Sequence, residues 1–273
     1  MPSITVDGYA MQYAEAGSGP PLVLIHGSLN DYRYWAPQME PLGARFRVVA
    51  PSLRHYWPER WDGSGDGFRI DRHVSDMAAF IAALGAGPVR LIGHSRGGHI
   101  AFRLAELHPG LLHQLVLAEP GGELDESLGG KPVAAGGVGR QAQAFAEAAA
   151  LVKAGDVEGG LRRFAEHTGG PGAWEKRSET RKMIGRDNAH TLAGQIDERR
   201  RPFSRAAAEG IRVPTLLVHG ENTQPSFVTI IDALERCMPG VAGRVSIPNA
   251  AHGMSSDNPA DFNAAVLRFL DGR

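Results

Sequence analysis

The chain has 273 residues, 42% of them hydrophobic, with a formal net charge of -1. That is enough apolar material for one large domain carrying an insertion, and the near-zero charge excludes a general pull toward nucleic acid or an anionic membrane surface. The single cysteine, Cys237, has no internal disulfide partner and lies in an apolar helical pattern, which predicts a reduced core residue and a cytoplasmic home. Met1 to Val6 shows no basic and apolar leader, and no apolar run reaches about 18 residues, so neither export nor membrane spanning is expected.

In chain order, Ser3 to Val6 and Tyr9 to Ala16 read as a hairpin around Asp7-Gly8. Pro21 to Ile25 is a continuous apolar run, as expected of a strand buried on both faces, and it ends in the loop His26-Gly27-Ser28-Leu29. A strand from Phe46 to Ala50 feeds an aromatic loop, Tyr56-Trp57 through Trp61, and a helix from about His73 to Leu84 follows. Val89 to Ile92 is again an apolar strand. After it come Gly93-His94-Ser95-Arg96-Gly97-Gly98 and a helix to about His108, then a strand from Leu111 to Ala118 closed by Glu119. Alternation of apolar strands with amphipathic helices predicts a mostly parallel sheet covered on both faces.

From about Gly121 to Arg205 the chain is rich in Ala, Gly and charge, with a helix around Gln141 to Val152 and no convincing strand, as for a helical insertion over the sheet edge. Its basic run, Arg199-Arg200-Arg201, reads as solvated surface. The sheet resumes at Pro214 to Gly220. A helix from Thr229 to Met238 and a strand from Val241 to Ile247 follow. The loop Ala250-Ala251-His252-Gly253 leads to a last helix that starts at Asn258-Pro259 and runs to about Leu270.

Gly-x-Ser-x-Gly between an apolar strand and a helix predicts a sharp, strained corner that exposes the Ser95 hydroxyl, with the helix amides and dipole aimed at any anion formed there. On these residues, on His26-Gly27 and on Ala251-His252-Gly253, the chain resembles the α/β-hydrolase fold family over nearly its whole length. The resemblance implies an eight-stranded, mostly parallel sheet with helices on both faces and a helical cap inserted after the sixth strand, so that 1–120 and 206–273 form the core and 121–205 the cap. It implies Ser95 as nucleophile, His252 as general base, and the amides of Arg96 and Ser28, or Leu29, as oxyanion donors.

The acid departs from the usual pattern. Where many relatives carry Gly-x-x-Asp after the seventh strand, this chain has Gly220-Glu221-Asn222-Thr223, and Thr223 holds no charge. Glu119, at the end of the sixth strand, is preferred because its long side chain can reach a histidine from a neighbouring loop; Glu221 is the alternative. His26 reads as a loop-ordering histidine, and His94 and His219 as structural ones. His26, Leu29, His94, Tyr56, Trp57 and Trp61 are the candidate lining of a substrate pocket. The expected reaction is hydrolysis of a carboxylic ester or similar small acyl substrate, with no metal or cofactor, by a monomer or homodimer. Relatives that cleave carbon-carbon bonds or lactones, or act as haloperoxidases, keep the same serine. Lyases and small-molecule receptors of this fold remain alternatives. Haloalkane dehalogenases and epoxide hydrolases place Asp where this chain has Ser95.

Overall fold

A computed structural model describes every residue except 65–66, 132–139, 197, 199 and 273. Eight strands form one sheet: β1 (Ser3–Val6), β2 (Tyr9–Ala16), β3 (Pro21–Ile25), β4 (Arg47–Pro51), β5 (Val89–His94), β6 (Leu112–Ala118), β7 (Thr215–Gly220) and β8 (Val241–Ile247), in the spatial order β1-β2-β4-β3-β5-β6-β7-β8. β2 runs antiparallel to β1 and β4, and the remaining pairs are parallel. The eight-stranded, mostly parallel sheet expected from the sequence is therefore present.

The apolar strands are buried on both faces because they alternate between two cores. Val23, Ile25, Leu91, Leu115, Leu117 and Leu217 point to one side. There they meet α2 (Ile70–Ala83, after α1 at Ala36–Gly43), α3 (Arg96–Leu107) and, farther along the chain, the helix Pro225–Cys237. Leu22, Leu24, Ile92, Val116, Leu216 and Val218 point to the other, against Trp35 and the helix Pro259–Leu270. Each such side chain contributes about 1.5–3 kcal/mol on burial. A one-residue register slip would exchange the two sets, so the register is strongly specified.

That register lines up the strand ends. Ile25 pairs with Gly93, His94 with Ala118, and Ala118 with Val218. The loops after β3, β5, β6 and β7 therefore leave the sheet at one edge, where ligands meet open parallel sheets.

Between β6 and β7 run α4 (Arg140–Lys153), α5 (Val157–Gly169), α6 (Glu179–Asp187), α7 (Thr191–Ile196) and α8 (Arg205–Gly210). Phe145, Ala148, Leu161, Phe164, Trp174 and Leu192 gather there in a third cluster, separate from the two sheet cores, which also takes in Leu29 from the loop after β3. Asp156, Ser178 and Ser204 cap three of these helices through hydrogen bonds to backbone N–H groups. The chain ends with α9 (Pro225–Cys237), α10 (Met254–Asp257) and α11 (Pro259–Leu270). α2 and α9 begin three and four residues before the expected starts, α9 because Pro225 takes the first helical turn, where a missing N–H costs nothing. Cys237 is free and buried. Among the described residues no helix is long and apolar enough to cross a membrane.

Candidate active site

Ser95 stands between β5 and α3 with φ 54° and ψ -116°, a conformation that costs a non-glycine residue on the order of 1–3 kcal/mol and persists where the surroundings enforce it. Those surroundings explain both elbow glycines. A Cβ on Gly93 would run into the Gly97 carbonyl and stand 2.7 Å from the Ala101 Cβ; one on Gly97 would strike the carbonyls of Ile25 and His26. The loop after β3 passes directly beside the serine, since a Cβ on Gly27 would lie 3.0 Å from the Ser95 Cβ. Arg96 is the first residue of α3, so its N–H has no carbonyl within the helix to bond.

Glu119, fully buried and itself at φ 44°, follows β6. Its Oε2 lies 2.5 Å from His252 Nδ1 and accepts the Thr223 hydroxyl at 2.8 Å, while Oε1 accepts the Gly220 N–H at 2.8 Å. With Nδ1 bonded to a carboxylate, the neutral imidazole carries its proton there and presents Nε2 as the base. Phe227 stacks on the His252 ring at 4.0 Å and 12°. His94 packs against it at 4.8 Å and donates Nε2–H to the His252 carbonyl at 2.8 Å. Burial, then the neighbouring His252, pushes His94 well below the ordinary histidine range, which keeps it neutral. The residue directly before the serine thus touches the imidazole.

A model of the alpha/beta hydrolase fold matches residues 20–259. The chain belongs to the alpha/beta hydrolase fold family. Among other members of this hydrolase family, it is 34% identical over 120 residues to a soluble epoxide hydrolase from Corynebacterium sp. (strain C12), a match covering 42% of this chain and 39% of that one. It is 35% identical over 123 residues to the lipase LipV of Mycobacterium tuberculosis (strain ATCC 25618 / H37Rv), covering 45% of each. These matches span less than half the length of either curated relative. A solved hydrolase from Pseudomonas aeruginosa PA01 superposes with a TM-score of 0.79 at 24% identity over 97% of this chain and 96% of its own, a likeness of fold.

The two candidate acids of this hydrolase-fold chain fall in different places. Glu221 is exposed, and its Oε2 accepts the Asn249 N–H at 2.8 Å, bracing a turn in which Asn249 has φ 55°. Glu119 is the carboxylate brought to His252. His26 is fully buried: one ring nitrogen meets the Gly27 carbonyl at 2.8 Å and Nε2 accepts the Leu53 N–H at 3.0 Å, so it orders the loop. Burial lowers its pKa to about 4. Tyr56 is fully buried edge-on to His26. Trp57 lies beneath the Arg33 guanidinium at 3.6 Å, and Trp61 stacks on His55 and Phe68. Leu29, at φ 58°, is buried in the helical cluster between β6 and β7. His219 is partly buried, with Nδ1 3.1 Å from the Gly220 carbonyl.

The basic run departs from expectation. Arg200 is not solvated surface: its side chain is 11% exposed and bonds Glu198 at 2.8 Å. Arg201 is the solvated member, 55% exposed against Glu106, and Arg199 lies outside the described residues. The cause is Glu198, whose carboxylate takes Arg96 Nη1 and Nη2 at 2.6 and 2.5 Å and draws Arg200 in with it.

Sequence reasoning named Thr223 only to set it aside as the acid, and it passed over Phe227, Gln195 and Glu198. Thr223 carried a usable signal: it occupies the family's acid position, so a hydroxyl there stands where it can reach an acid that has moved to β6. Phe227, Gln195 and Glu198 carried none, because nothing local in the chain marks a residue that meets its partner across the fold.

Proposed function

We propose that this protein is a serine hydrolase that cleaves a carboxylic ester or a similar small acyl substrate through an acyl-enzyme. The observation that carries the reading is the buried Glu119–His252 pair at the strand ends where Ser95 is held at positive φ. An unassisted serine hydroxyl is a poor nucleophile at neutral pH. His252 Nε2 takes its proton as Oγ bonds to the carbonyl carbon, and Glu119 holds the tautomer and balances the imidazolium. The amides of Arg96 and Ser28, or Leu29, receive the oxyanion. The imidazolium returns its proton to the leaving alcohol; water, deprotonated by the same nitrogen, then attacks the acyl carbon, and the imidazolium passes that proton to Ser95 Oγ as the acid leaves. The helices between β6 and β7 form a cap over this edge.

The likeness to an epoxide hydrolase does not extend to the chemistry, because an alkyl-enzyme route needs a carboxylate where this chain has Ser95. The test is labelling by a fluorophosphonate together with acid release from short p-nitrophenyl esters. Ser95→Ala is expected to lose the label and at least about 10⁴-fold in kcat. Labelling that survives the substitution, or its absence in the unaltered protein, overturns the reading.

A further inference from the structure

Ser28 and Arg96, the two residues proposed above as oxyanion donors, both send their side chains to one stretch of the cap. Ser28 Oγ donates to Gln195 Oε1 at 2.8 Å. Arg96, fully buried, forms the bidentate pair with Glu198. Arg200 joins the two anchors, giving Nε–H to Glu198 at 2.8 Å and Nη2–H to Gln195 Oε1 at 3.3 Å. Leu29 adds an apolar anchor, packed among cap side chains. The result is one network, Ser28, Gln195, Arg200, Glu198 and Arg96, running from one proposed oxyanion donor to the other through the cap.

We propose that Gln195, Glu198 and Arg200 are positioning residues of the oxyanion hole, fixing the Ser28 and Arg96 amides relative to each other by holding those residues through their side chains. The inference rests on the serine-hydrolase reading above. Donors act only when they stand 2.7–3.1 Å from the place the oxyanion will occupy, and a shift of about 0.5 Å forfeits much of their effect. One donor sits on a loop and the other at a helix start, and the network ties the two together. It also carries charge. Among the described residues its two guanidiniums face one carboxylate, leaving net positive charge beside the elbow. Arg200 Nη1 and the Arg96 amide nitrogen each lie 3.6 Å from the point where a Cβ on Gly121 would stand. A developing oxyanion is stabilised by charge fixed in this place before the reaction begins.

The test compares Ser28→Ala, Gln195→Ala and their double variant on a p-nitrophenyl ester, with a boronic acid as the tetrahedral mimic. Neither single variant removes a backbone amide or leaves a buried charge unpaired, so both should fold. Each is expected to lower kcat about 10-fold, an order of magnitude less than loss of a donor, with KM changed less than about twofold. The double variant should be no slower than the worse single one, because both cut the same link. Boronate affinity should fall in step with kcat/KM. Glu198→Gln, if it folds, should show the same kcat loss with KM preserved. If a protein that labels with fluorophosphonate keeps its kcat in both single variants, loses only KM, or shows multiplicative effects, the positioning role is refuted while the hydrolase reading stands. A protein that does not label refutes both.

Discussion

Two glutamates lie buried within this site, and their partners make them different groups. Glu119 is fully buried and is met by neutral donors, the Gly220 amide and the Thr223 hydroxyl, together with the His252 ring. Glu198, its side chain 2% exposed, is gripped by two guanidiniums. Burial alone would push the Glu198 carboxyl up, but the charges and hydrogen bonds of Arg96 and Arg200 outweigh it and hold the group at about 2. A carboxylate already neutralised by permanent cations has nothing to exchange with an imidazole. One held only by dipoles gains a counter-charge when the histidine takes a proton. Burial therefore does not mark the acid; the chemistry of its neighbours does.

The sharpest way to break that contrast is Glu119→Gln. The amide keeps the shape but gives His252 the wrong partner, so kcat should fall about 10³- to 10⁴-fold while the melting temperature moves little. Near-normal turnover would sink the assignment. Glu198→Gln should act on stability first. It leaves two buried guanidiniums without the one carboxylate they face among the described residues, a kind of change that costs about 3–5 kcal/mol in chemical denaturation. A variant as stable as the parent would mean that Arg96 and Arg200 are solvated after all.

Proton linkage separates the same groups along the pH axis. His26 is held neutral by burial, with its pKa lowered from 6.5 to about 4, and burial lowers His73, His94 and His99 well below their ordinary value. For such a group the unfolded chain binds the proton first, so its contribution is complete above pH 6.5 and is lost as pH falls through the folded value. His26 alone accounts for a loss on the order of 3 kcal/mol between pH 6.5 and 4. Glu198, also lowered, contributes fully above about 4.5 and weakens only below it. Urea midpoints should therefore decline from pH 6.5 downward, before Glu198 titrates; midpoints unchanged between pH 7.5 and 5 would contradict the neutral histidines. Thr223→Val is a smaller perturbation. It removes one donor to Glu119 Oε2 and leaves the Gly220 amide on the other oxygen, with an expected cost of about 1 kcal/mol, or roughly fivefold in kcat.

The sheet was legible because its information is local. Leu22, Val23, Leu24 and Ile25 are all apolar since both faces of that strand are covered, and a run of this kind announces itself without reference to the rest of the chain. The elbow was legible for the same reason, as two glycines and a serine within five residues. Helices α5 to α8 were harder. Their caps Asp156, Ser178 and Ser204 stand in plain view, but their small apolar cluster is made of scattered Ala, Phe and Leu whose common face appears only on packing. The basic run was misread because burial of Arg200 depends on Glu198 meeting Arg96, a residue 102 positions away in the chain. Charge patterning along a segment says nothing of such a partner.

Glu221→Gln is the smallest perturbation and the one that closes the choice of acid. Glu221 is two residues from the family's acid position, and sequence alone left it open as an alternative. Its carboxylate instead accepts the Asn249 amide, and Asn249 needs help because φ 55° places it in the left-handed region. Glutamine retains an acceptor oxygen at the same reach, and the site is solvated, so the substitution should stay within about 0.5 kcal/mol in stability and leave kcat within about twofold. The opposite result, loss of activity here with Glu119→Gln unaffected, would require His252 to abandon the partner 2.5 Å from its Nδ1 for one that serves a neighbouring turn.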